Sequence, residues 1–75
     1  MIITTTIVYV DEKQSEMLGK TITQTEEFIF DMKHVSAIMP GKNKHEAIIF
    51  LDGSDTTVEM SFKELKELFI IAKRN

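Results

Sequence analysis

No cysteine stands among the 75 residues of this chain, so neither a disulfide nor a thiolate-bound metal can hold the fold together. The absence also suits a reducing compartment, and the expectation is a cytoplasmic protein. Basic charge is scarce too. Nine Lys and Arg face twelve Asp and Glu, a net charge of -3 that speaks against nucleic acid as the main partner, because counterion release needs clustered cations. Long apolar runs are missing: nothing approaches the ~20 residues a bilayer crossing requires, and no membrane association is expected. The apolar start, Met1 to Val10, has no positive leader, is interrupted by Thr4, Thr5 and Thr6, and meets Asp11 and Glu12 too early for a signal peptide. Also absent are a Gly-x-Ser-x-Gly elbow, a phosphate-binding glycine loop and a His-x-x-x-His pair. A domain this small rarely encloses a substrate pocket of several hundred cubic ångströms, so no enzymatic activity and no cofactor are expected.

What is present is a globular composition, 43% hydrophobic and 28% charged. The length suits one domain over residues 1–75, with a small core and marginal stability, for which oligomerisation is the remaining cheap staple. Ile2 to Val10 is dense in β-branched residues and predicts a strand. Asp11 to Gly19 is polar and reads as a turn or long hairpin loop, Lys20 to Gln24 as an exposed second strand, and Glu27 to Phe30 as another short one. Asp31 to His34 reads as a tight turn or one helical turn leading into a strand Val35 to Met39, which Pro40-Gly41 ends.

His45 to Leu51 is the most apolar strand, with Ala47, Ile49 and Leu51 on one face and Ile48 and Phe50 on the other. Both faces therefore need cover. Asp52-Gly53-Ser54-Asp55 predicts a hairpin turn and Thr56 to Met60 its returning strand. Ser61-Phe62-Lys63-Glu64 is a capping box, with Met60 and Leu65 placed as a hydrophobic staple. In the helix that follows, Phe62, Leu65, Leu68, Phe69 and Ala72 form one apolar stripe, which Ile70 and Ile71 widen beyond a single face. The fold class expected is α+β, an antiparallel sheet of four or five strands with one C-terminal helix packed on it.

Four constellations carry candidate chemistry. Ile48, Phe50, Ile70 and Ile71 are surplus apolar residues fit for a protein partner, either a second copy in a homo-oligomer or another protein. Lys42 and Lys44, in the basic turn Pro40 to His45, together with Lys73 and Arg74, are candidate contacts to a phosphate or an acidic partner. Without interleaved aromatics they support a nucleic-acid-binding regulator only as the alternative. His34 and His45 flank Pro40-Gly41 and, with Asp31 or Glu46, form a metal or acid/base site if the strands converge. Asp52, Ser54, Asp55 and Glu59 cluster oxygens but depart from the EF-hand spacing, and a tight turn explains them; no metal site is expected. Met17, Met32, Met39 and Met60 serve as core filler or soften a binding surface.

From Phe28 onward, the order strand, turn, strand, Asp-Gly hairpin, strand and Ser-capped helix resembles small bacterial flagellar proteins of the swarming-motility type. Val35-x-x-Ile38, then Ile48-x-Phe50-x-Asp52-Gly53 and Ser61-x-x-Glu64, is similar to the LytTR-type DNA-binding modules of response regulators. The N-terminal hairpin departs from the first pattern and the lack of a basic C-terminal strand from the second, so no functional residue is carried across. The reading reached by elimination is a small intracellular accessory protein, of a size common among bacterial or phage proteins, that acts by binding protein.

Overall fold

The computed structural model describes residues 1–74. Five strands form one antiparallel sheet: β1 (Ile2–Val10), β2 (Thr23–Asp31), β3 (Val35–Pro40), β4 (Ala47–Leu51) and β5 (Ser54–Val58), in the spatial order β2-β1-β5-β4-β3. Two helices complete the chain, α1 (Glu12–Leu18) and α2 (Phe62–Arg74), and a single 3-10 turn at Met32–His34 joins β2 to β3. The α+β class and the C-terminal helix on an antiparallel sheet are as the sequence pattern indicates.

The first hairpin is longer and differently closed than expected. Residues 20–24 and 27–30 are not two short strands: Thr23–Asp31 is continuous and pairs with β1 along its whole length, from Ile2 opposite Asp31 to Val10 opposite Thr23. Its polar middle, Thr25-Glu26-Glu27, lies on an edge strand, where side chains need no burial. Residues 11–19 are not a loop either. Asp11 caps α1 by accepting the amide of Gln14 at 3.0 Å, and Gly19, at φ 65°, closes the helix in the left-handed conformation. The Ser15 hydroxyl accepts the Ile22 amide at 2.8 Å, tying the helix to the start of β2. Strand β1 is flanked by β2 along its whole length and met on its other side by β5 at Ile7 and Val8, so the outer strands of the sheet are β2 and β3.

The β4–β5 turn is tighter than the four residues expected, since Leu51 already pairs with Ser54. Asp52 and Gly53 have φ of 52° and 81°, the positive pair that a two-residue turn needs to match the twist of its strands. Strand β5 starts at Ser54 and ends at Val58, two residues earlier at each end than the pattern indicates, and β4 starts at Ala47 rather than His45. The Ser61 hydroxyl accepts the Glu64 amide at 3.2 Å, and the Leu65 amide reaches the Ser61 carbonyl at 3.0 Å, so α2 begins where the capping box places it.

One face of the sheet carries the core. Ile3, Phe30, Val35, Ala47, Ile49 and Val58 are buried there, with Leu65 pressed down from α2 and Met32 from the 3-10 turn. Phe62, Leu68, Phe69 and Ala72 pack against this cluster from the same helix, while Ile70 and Ile71 stay exposed. Phe28 and Phe30 stack along β2, ring centroids 5.7 Å apart, and extend the core toward the first hairpin.

Candidate binding surface

Strand pairing fixes what the other face of the sheet presents. Because paired residues of neighbouring strands share a face, the register Thr25–Val8–Thr57–Ile48–Met39 is a single row across all five strands, without a charge in it. A second row, Asp55–Phe50–Ala37, lies beside it. Val8, Ile48, Phe50 and Thr57 are half-buried, Met39 is exposed, and among the described residues no helix lies across them. This is the face that the alternation in Ala47 to Leu51 leaves in need of cover.

Next to that row the surface is concave. A hollow of about 380 Å³ is lined by Val8, Val10, Ile48 and Thr57, with Lys42 and Glu46 on its rim. The rim is held in place by the β3–β4 loop. Gly41 donates its amide to the Glu46 carbonyl at 3.1 Å, and a side chain at position 41 would put its Cβ 2.7 Å from that oxygen, so glycine is required there by close approach. Asn43 accepts the His45 amide on its side-chain oxygen at 2.8 Å and the Glu46 amide on its carbonyl at 3.2 Å. The loop thus places Lys42 at the hollow, with Lys44 exposed two residues on.

The four partner-binding candidates do not form one patch. Ile48 and Phe50 lie on the open face, whereas Ile70 and Ile71 belong to α2, which packs on the opposite side of the sheet. Sequence reasoning also missed Val8 and Thr57, and named Met39 only as core filler or a softener of a binding surface, without placing it beside Ile48. Their signal is the alternation within β1, β5 and β3, but only the inter-strand register brings them beside Ile48.

The basic candidates are likewise divided. Lys42 and Lys44 follow β3, while the Lys73 ammonium donates to the carbonyl of Lys33 at 3.0 Å, just before β3, and lies 5.3 Å from the centre of the Phe69 ring. The six residues of β3 separate the two groups by roughly 20 Å at the ordinary strand rise. Lys73 is engaged at the end of its own helix, and no continuous basic stripe joins it to the loop.

The histidines are apart for the same reason: His34 precedes β3 and His45 follows the loop after it, both exposed. His45 lines a second, shallow hollow of about 510 Å³ with Glu46, Glu59 and Glu64. Among the described residues no three His, Asp or Glu groups are placed to hold a metal. Asp31 instead serves the β2–β3 corner, accepting the Lys33 amide at 3.0 Å and pairing with the Met1 amine at 3.3 Å. Those interactions, the backbone bond first, hold its carboxyl below the ordinary value.

Among the described residues no helix is long and apolar enough to cross a membrane. Comparison with protein-family models, with curated proteins and with solved structures finds no match to this chain. The likenesses to flagellar and LytTR-type proteins therefore remain likenesses of pattern, and the open sheet face has to be read from its own chemistry.

Proposed function

We propose that this is a small, non-enzymatic, intracellular accessory protein that acts by protein–protein binding through the open face of its sheet, as a homo-oligomer or with another protein. The observation that carries the reading is the uncharged row Val8–Thr57–Ile48–Met39, backed by Phe50, on a sheet that has a helix on one side only. Contiguous exposed apolar surface on a small chain marks an interaction site. The half-buried Ile48 and Phe50 are its anchors, since aromatic and aliphatic side chains at the centre of a patch carry most of an interface's energy. Lys42 and Glu46 of the β3–β4 loop line the same hollow, where charge steers and orients a partner rather than supplying affinity.

The reading is tested by separating the two apolar patches. Ile48→Asp and Phe50→Asp are expected to retain the circular dichroism of the folded chain and to lose every stoichiometric protein partner, whether a second copy or a different protein. Ile70→Asp, on the other side of the molecule, is expected to keep that partner. Retention of the partner by the open-face variants overturns the proposal, and so does their failure to fold, which makes the two residues core.

A further inference from the structure

Three observations say what covers the open face. The first is surface. The accessible area is 5488 Å², against about 4,700 Å² for a monomer of this mass. The excess of roughly 800 Å² matches what each partner buries in a standard interface. The radius of gyration, 13.5 Å, also exceeds the about 11 Å of a compact chain of this length, and the molecule measures 47 × 22 × 19 Å.

The second is the arm formed by the far end of the β1–β2 hairpin and α1. Helix α1 has seven residues and buries none of them, yet Met17 is 81% exposed and Leu18 59%. Isolated helices below about 12 residues are marginal in water, so this one depends on its caps and on whatever receives its apolar side chains. Val10, 52% exposed at the base of the arm, adds to the same surplus.

The third is complementarity. The hollow on the open face is built in part from the base of the arm, Val8 and Val10, which with Ile48 make its apolar lining. Lys42 and Glu46 line the hollow beside its apolar residues, and α1 carries Glu12, Lys13 and Glu16 beside Met17, so each surface sets charges of both signs around an apolar centre. A chain that carries both an apolar arm and an apolar hollow can pair with itself about a two-fold axis, the same patches meeting twice and closing the assembly. We propose that a second copy of this chain covers the open face, and that the α1 arm of each copy seats Met17 and Leu18 in the other's hollow, over Val8, Ile48 and Thr57. The inference rests on the open-face reading and names its occupant.

Sedimentation velocity of the full chain over a range of concentrations tests it, with Met17→Glu/Leu18→Glu set beside Ile48→Asp. The substituted arm residues are exposed, so the double variant is expected to keep its helix and sheet signal. The wild type is expected to be a dimer and the double variant a monomer. The dimer should weaken on the order of a hundredfold or more, since each apolar side chain lost from a buried site is worth roughly tenfold. If the double variant dimerises as well as the wild type while Ile48→Asp does not, the arm is overturned and the open face stands as the interface. A wild type that is monomeric at every concentration overturns the second copy as occupant, and the partner then retained or lost by Ile48→Asp and Phe50→Asp decides the open-face reading separately.

Discussion

Asp31 shows how much one side chain can organise at a corner. It ends β2, accepts the amide of Lys33 as the 3-10 turn begins, and faces the Met1 amine, with His34 also near enough to favour its charged form. A carboxyl whose folded pKa lies below the unfolded value of 3.8 contributes stability above that value, and loses it as pH falls through the lower folded one. Asp31→Asn is therefore expected to unfold at lower urea than the wild type at neutral pH, with the gap closing below about pH 4; a gap that stays constant down to pH 3 contradicts this role. At the same scale lies what was legible about the surface. Alternation along Ala47–Leu51 was enough to put Ile48 and Phe50 on the face opposite Ala47, Ile49 and Leu51, with both faces in need of cover. It could not show that Val8, Thr57 and Met39 lie in the same row, because that depends on register between strands far apart in sequence.

Among the elements, α2 was the most readable because its signals are local: a serine cap, a glutamate three residues on, and an apolar stripe at helical spacing. Ser61→Ala leaves the Glu64 amide without that acceptor and is expected to cost about 1 kcal/mol, read as a lower urea midpoint at unchanged slope. A midpoint within error of the wild type would mean that packing of Leu65 alone sets where the helix starts. Helix α1 was missed although its caps are as explicit, Asp11 with Gln14 three residues on and Gly19 past the end, because it has no apolar stripe buried on its own chain. Strand β2 was split in two for a related reason. Its polar middle pairs fully with β1, but its side chains there lie beyond the reach of the core, so the pattern carries no sign of burial. Both errors fall on the arm, which buries little against the rest of its own chain.

For the whole molecule, a core confined to one face of the sheet leaves the protein with more surface than its mass warrants and with an uncharged row on the uncovered side. Without disulfides, association is the cheapest stabilisation open to a chain of 75 residues, and burial of the open face would supply it through mass action on the folded state. The division of Lys42 and Lys44 from Lys73 and Arg74 along the length of β3 leaves the basic groups as local features of the rim and of the helix end. The most direct test is light scattering on a size-exclusion column, for the wild type and for Phe50→Asp, with absorbance followed at 260 and 280 nm. Expected are a wild type at a whole multiple of 8.6 kDa with no excess absorbance at 260 nm, and a folded variant at 8.6 kDa. Equal masses for the two proteins, or a wild-type peak rich in 260 nm absorbance, would contradict an interface between copies of the chain on the open face of the sheet.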